Sequence, residues 1–153
     1  MGVAIALFLE VQTYSRVLSF SNIEGNLISE DCGIMSRGIS EISFEEYNNK
    51  LYKMHLFVFI GNDQLHFEQS SSFAIHKTAV SLVEKSDSGE LLERFEKLNC
   101  KKSYFYGEKN KDMPVLNKLD FVQKYMINNS GHGMTTENPK EFYKKLVEFI
   151  ACS

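Results

Sequence analysis

Three short apolar stretches, each separated from the next by helical text, constrain this chain more than any other feature. Arg16 to Ile23 carries Val17, Leu18, Phe20 and Ile23 and stops at Glu24-Gly25-Asn26; Lys102 to Tyr106 is rich in aromatics; Tyr125 to Ile127 runs into Asn128-Asn129-Ser130-Gly131-His132. Strands that follow one another through helices cannot pair as hairpins. They pair in parallel, because a parallel neighbour needs a long crossover to return the chain to the same end of the sheet. The predicted order is helix, strand, helical insert, strand, helix, strand, helix, which is an α/β architecture on a short parallel sheet of about three strands with flanking helices.

The helical segments carry their own signals. Residues 3 to 14 place Ala4, Ile5, Leu7, Phe8, Leu9 and Val11 on nearly every face, the pattern of a buried helix. From about 39 to 99 the text is helical and amphipathic, with Ser43 and Glu46 spaced as a capping box ahead of Tyr47, Leu51 and Met54. Ala74 to Val83 follows the polar Gln69 to Ser72, Ser86-Asp87-Ser88-Gly89 punctuates, and Glu90 to Leu98 resumes a helix. Leu116 to Leu119 suits a short helix after Pro114. Asn138 as N-cap, Pro139 at the first helical position and Glu141 three residues after the cap start the last helix, with Phe142, Leu146, Phe149 and Ile150 as its apolar positions.

At 153 residues, 43% apolar and 24% charged, the chain can bury one core. A formal charge of -3, a pI near 5.8 and lysines dispersed among acids leave no basic footprint, so nucleic acid is not an expected partner. Cys32, Cys100 and Cys152 are unevenly spaced without a CxxC pair, which suggests neither a disulfide framework nor a zinc site, and a reducing, cytoplasmic setting is expected. The apolar run Gly2 to Leu9 is too short to span a bilayer, and no Lys or Arg precedes Arg16, so neither a membrane anchor nor a signal peptide is expected. His55, His66 and His76 lie in the helical insert at irregular spacing; they are read as surface or pocket lining there, with no metal site and no cofactor implied.

His132 differs from those three. It stands in Asn129-Ser130-Gly131-His132-Gly133-Met134, between a strand and the final helix, and flanking glycines are expected to let the backbone turn sharply while the imidazole projects. An imidazole shown on a loop and anchored by the following helix is the usual presentation of a general base.

Strand, turn, histidine and last helix, taken with the Gly107 turn, resemble the C-terminal half of the α/β-hydrolase fold. On that resemblance residues 1–38 and 100–153 are a partial hydrolase core, and 39–99 is a helical cap (lid) insertion. Met1-Gly2-Val3-Ala4-Ile5-Ala6 is similar to the text that follows the nucleophile in the family's Gly-x-Ser-Met-Gly-Gly run, so the chain is expected to start just after the elbow serine and to lack a nucleophile. Ser70 to Ser72 and Ser130 do not sit on such an elbow; the first three suit a helix cap and the last suits the shaping of its loop.

The resemblance implies that His132 is the catalytic base. The family's Gly-x-x-Asp turn falls on Gly107-Glu108-Lys109-Asn110, where an amide replaces the acid, so the carboxylate is sought at Asp112 in the same loop or at Glu24 after the first strand, as in haloalkane dehalogenases. Glu24 is favoured, since α/β sheets gather their chemistry at the C-terminal ends of strands. The implied activity is hydrolysis of a small apolar ester-like substrate, with Phe57, Phe59, Phe67 and Phe73 as candidate pocket aromatics, inactive in the chain alone. An open first strand is expected to drive homo-oligomers or pairing with an N-terminal half. Two alternatives stay open: a non-catalytic interaction module on a truncated hydrolase fold, and a dehalogenase-like hydrolase with an upstream Asp nucleophile.

Overall fold

The computed structural model describes residues 2–10, 17–58 and 67–151. Of the sequence expectations, the helix beyond Glu10, the strand start at Arg16, and Phe59, His66 and Cys152 lie outside the described residues, as does the side chain of Phe57.

Three strands form the sheet: β1 (Ser19–Ile23), β2 (Lys101–Gly107) and β3 (Gln123–Ile127), in the order β1-β2-β3 and parallel throughout. The register aligns Ser19 with Lys101, Ile23 with Phe105, and Gly107 with Ile127. β1 starts at Ser19, and Val17 and Leu18 precede it unpaired, because pairing begins only where Lys101 opposes the strand. Ahead of it, Leu18 is 83% exposed.

Helices complete the layers: α1 (Gly2–Glu10), α2 (Gly33–Ser40), α3 (Phe44–Glu46), α4 (Tyr52–Val58), α5 (Ser72–Asp87), α6 (Glu90–Lys97), α7 (Met134–Glu137) and α8 (Pro139–Ala151). β2 is the central strand and is buried on both faces, which explains its unbroken aromatic run Tyr104-Phe105-Tyr106. Tyr104 enters the main core with Leu7 of α1, Leu27, Leu82 of α5, and Leu91 and Phe95 of α6. Phe105 faces the other way, onto Ile127, Met134 and Phe142 of α8, with its ring 4.8 Å from Tyr125 and 5.4 Å from Phe142. A smaller cluster of Ile39, Tyr47 and Ala79 joins α2, the turn after α3, and α5. The long helical stretch therefore feeds two cores, since α6 and part of α5 pack with the sheet.

Local signals mark several helix starts. Ser43 Oγ accepts from the Glu46 N–H at 3.1 Å, Ser71 Oγ accepts from Ala74 at 3.1 Å, and the Asn138 carbonyl accepts from Phe142 at 3.1 Å. Pro114 starts a 3-10 turn, Pro114–Lys118, where a short helix at Leu116 to Leu119 was expected; its ring presets the first φ and the turn closes after five residues. His76 is a core residue rather than cap surface, with Nε2 donating to the Ile42 carbonyl at 2.9 Å and its ring packed against Tyr47.

Gly25 sets how closely α1 approaches the end of β1. A Cβ there would lie 2.6 Å from the Val3 side chain and 2.7 Å from Asn22 Oδ1. Gly25→Ala is expected to push α1 outward and cost about 1–3 kcal/mol, the usual penalty for overpacking; urea unfolding with an unchanged m-value reads it.

Candidate functional site

The three strands run in parallel, so their C-terminal ends lie side by side, and each delivers one part of the site. From β1 comes Glu24. Its backbone N–H continues the ladder by donating to the Phe105 carbonyl at 3.0 Å, and its φ of 43° then lies in the left-handed region, which a non-glycine residue adopts at a cost of about 1 kcal/mol or more. Asn22 holds that turn: its Oδ1 accepts from the Gly25 N–H at 2.7 Å, and its buried side chain is 1% exposed. The kink aims the Glu24 side chain across the strand ends, where it is 2% exposed.

From β2 come two donors to that carboxylate. The Gly107 N–H reaches Oε1 at 2.7 Å, and the Asn110 amide reaches Oε1 at 3.0 Å and Oε2 at 2.9 Å. From the loop after β3 comes His132, whose Nδ1 donates to Oε2 at 3.0 Å. Burial alone would raise the Glu24 pKa, yet the hydrogen bonds from His132, Gly107 and Asn110 outweigh it and hold the carboxyl below its ordinary value. The bond to Glu24 pushes His132 up, against the opposing effect of its partial burial. An ionised carboxylate accepts only, so the proton sits on Nδ1 and Nε2 is the ring's free basic nitrogen. The His132 side chain is 79% exposed.

The histidine loop is braced by carboxylates on its backbone. Glu108 accepts from Asn129 N–H at 2.8 Å and Glu137 accepts from Gly131 N–H at 3.1 Å, while Lys109 pairs with Glu137 at 3.0 Å. The Lys109 N–H donates to the Ser130 carbonyl at 3.0 Å. The turn is not made by the glycines beside His132, as the sequence suggested: neither has a left-handed φ, and Asn129, at φ 54°, provides the bend. Ser130 shapes the loop, with its fully buried hydroxyl donating to the Ile127 carbonyl at 2.8 Å.

His132 and Glu24 are thus brought together, and Asp112 is not. Asp112 is exposed in the loop after Asn110 and is not a hydrogen-bond partner of His132. Sequence reasoning missed the part played by Asn110. Its place in the Gly-x-x-Asp pattern marked the position, but an amide there was weighed only as a weaker partner of the imidazole; it is a donor to a carboxylate that arrives from another strand.

A cavity of about 490 Å³ opens beside the pair, walled by Gly2, Val3 and Ala6 of α1, by β1, and by Glu24 and His132. The N-terminal end of α1 therefore shares one cavity with the imidazole. Phe67 and Phe73, expected as pocket aromatics, pack within the helical region, against Tyr52 and Phe44 respectively. Among the described residues no cluster of three or more His, Cys, Asp or Glu could hold a metal ion, and no helix is long and apolar enough to cross a membrane.

No family model and no curated protein matches this chain. Solved structures do. An alpha/beta hydrolase enzyme from a Medee basin deep-sea metagenome library aligns over 98% of this chain and 62% of its own, at 15% identity and a TM-score of 0.58. A thermophilic esterase from Thermogutta terrifontis aligns over 98% of this chain and 61% of its own, at 14% identity and a TM-score of 0.61. A haloalkane dehalogenase loop variant from Bradyrhizobium elkanii aligns over 98% and 64%, at 13% identity and a TM-score of 0.52. The chain spans less than two thirds of the length of each. Each aligns over nearly the whole of this chain, and the chain has the fold of the C-terminal part of an α/β-hydrolase.

Proposed function

We infer that this chain supplies the base and the acid of an acyl-transfer site of the serine ester hydrolase type. The observation that carries the reading is the Nδ1–Glu24 bond at 3.0 Å, which leaves Nε2 of an exposed imidazole basic at a cavity that also receives the N-terminal end of α1. In the reaction Nε2 takes the proton of an attacking hydroxyl and returns it to the leaving alcohol. Glu24 fixes the tautomer and stabilises the imidazolium formed in between. The α1 N-terminus, whose first-turn amides have no acceptor within the helix, favours the developing oxyanion.

The nucleophile in this reading is a serine on a further strand beside β1. Among the described residues the one hydrogen bond of His132 goes to Glu24, so no hydroxyl is engaged by it. Among the described residues β1 pairs only with β2, and it carries exposed apolar side chains at both ends, Leu18 (83%) just ahead of it and Ile23 (37%) as its last residue. An open strand edge with apolar flanks is a template for another strand. The partner is accordingly the N-terminal half of such a hydrolase, and the chain alone leaves esters intact.

The test is expression of the chain alone and joined to the protein segment encoded immediately upstream, with p-nitrophenyl butyrate as substrate. The joined form is expected to turn over, with a loss of about 10⁶-fold in His132→Ala. Turnover by the chain alone that vanishes in His132→Ala would put the nucleophile inside it and overturn the external serine. An upstream Asp at the elbow, with activity on haloalkanes instead of esters, would favour the dehalogenase-like alternative. The open β1 edge also favours a second reading, a non-catalytic interaction module; an upstream segment without a Gly-x-Ser or Gly-x-Asp run, together with a dimer in light scattering, is its signature.

A further inference from the structure

A second cavity, of about 370 Å³, adjoins the same pair and has no residue of α1 in its wall; Asn26, Asp31, Ser36 and Asn110 line it with Glu24 and His132. Its polar groups are unevenly committed. The Asn110 amide directs its NH2 group at the two oxygens of Glu24, which can only accept, so its Oδ1 is turned away from them. The Asn26 NH2 group donates to the Asp31 carbonyl at 2.6 Å, which fixes that amide by the same logic. Neither Oδ1 accepts a bond among the described residues. Asp31 is also half used: Oδ2 accepts from the Leu27 N–H at 2.9 Å and the Ile28 N–H at 3.1 Å, whereas Oδ1 is buried without a partner.

The donors of this wall are thus turned inward and its acceptors are left over. The acceptors open to a bound donor are Asn26 Oδ1 and Asn110 Oδ1, whereas Asp31 Oδ1 is shut off from solvent and contributes negative charge rather than a contact. The carboxylates in and beside the cavity, Glu24, Asp31 and neighbouring Glu30, outnumber its one group able to turn cationic, His132, and the potential there disfavours an anion. Burial pushes the Asp31 carboxyl up, with the Leu27 and Ile28 N–H groups opposing, as expected of a carboxylate that lacks a positive neighbour.

We propose that this cavity is a subsite for a hydrogen-bond-donating, non-anionic group, an alkylammonium or a hydroxyl, of the molecule that His132 acts on. The role as a substrate subsite rests on the hydrolytic reading; the binding itself does not. Specificity on this side of the imidazole is for a polar substituent, and the apolar part of a substrate is left to the cavity beside α1.

The experiment uses the whole chain, ¹⁵N-labelled, with the side-chain amides of Asn26 and Asn110 followed by NMR. It is titrated separately with ethylammonium chloride, 1,2-ethanediol and sodium acetate. Saturable shifts are expected with ethylammonium, with the diol or with both, and none with acetate; the comparison of the first two assigns the donor class. Where ethylammonium binds, Asp31→Asn is expected to weaken it about tenfold while sparing the diol. Because Asp31 also holds two backbone amides, Ser36→Leu provides an independent variant: it fills the cavity from α2 and is expected to abolish the shifts while the His132–Glu24 contact persists. Shifts with acetate as large as with ethylammonium, no shift with either donor at decimolar concentration, or saturable shifts that survive Ser36→Leu overturn the proposal. None of these outcomes depends on ester turnover, so failure of the hydrolytic reading remains a separate result.

Discussion

Gly107→Ala is expected to destabilise the protein by about 3 kcal/mol or more and to part His132 from Glu24. The added Cβ would collide with the carbonyl oxygens of Ser130 and Gly131, lying 2.6 Å from the former. Those are backbone atoms of the loop that carries the imidazole, and that loop is tied to the turn after β2 by the Lys109 N–H and to Glu108 and Glu137 by its own amides. No flexible side chain can give way. The loop must move off the end of β2, and the Gly107 N–H that donates to Glu24 moves with the strain. Gly131→Ala is the control: its Cβ would meet only the Lys109 side chain at 3.6 Å and Glu137 Oε1 at 3.7 Å, ordinary contacts. Chemical unfolding of the two variants, with the Nδ1–H resonance of His132 as the local probe, separates a specific clash from a general intolerance of alanine.

Glu24→Gln is expected to lower the His132 pKa to its ordinary value of about 6.5 or below, because the carboxylate that raises it is gone while the opposing burial remains. In the joined enzyme the acid limb of kcat/KM, set by deprotonation of Nε2, then moves to lower pH. The rate above that limb falls by about 10⁴-fold, as the neutral amide neither stabilises imidazolium nor enforces the tautomer. Stability responds with a definite sign. Glu24 is lowered in the folded state, so its contribution is present above the ordinary carboxyl value of 4.5 and is lost as pH falls through the folded pKa. His132 is raised, so its contribution is complete below about pH 6.5 and is lost as pH rises through its folded value. The stability difference between wild type and Glu24→Gln is therefore largest between about pH 4.5 and 6.5 and shrinks on either side. The histidine part is small, since the ring is 79% exposed and solvent screens it. A difference that grows steadily above pH 7 would contradict this pairing. NMR titration of the imidazole in both forms gives the pKa values directly.

The alternation of apolar runs with helical text was enough to read a parallel three-stranded sheet, because a crossover helix leaves no other pairing open. Serine and asparagine caps at Ser43, Ser71 and Asn138 were readable for a similar reason: a cap acts within three or four residues, the range over which sequence spacing is spatial distance. His132 was conspicuous by its loop between the last strand and the last helix. Its bend was misread all the same, since Asn129 rather than a flanking glycine takes the left-handed conformation.

Of the two carboxylates the sequence offered, Glu24 was favoured over Asp112 for its place at a strand's C-terminal end, although Asp112 is nearer to His132 along the chain. Strand order and a one-residue kink bring Glu24 against the imidazole. β1 lies directly beside β2, Glu24 turns at φ 43° once its own N–H has closed the ladder, and its carboxyl crosses to the donors at Gly107 and Asn110 that wait on the next strand. Likewise Asn110, the amide where the family's acid would stand, acquires its part only when a carboxylate from another strand arrives against it. Local physics, meaning periodicity, capping and crossover length, is carried by neighbouring residues and so was determined by the sequence alone. The pairing of His132 with Glu24 joins residues 108 apart through the register of three parallel strands, and a contact made by register exists only once the sheet has formed.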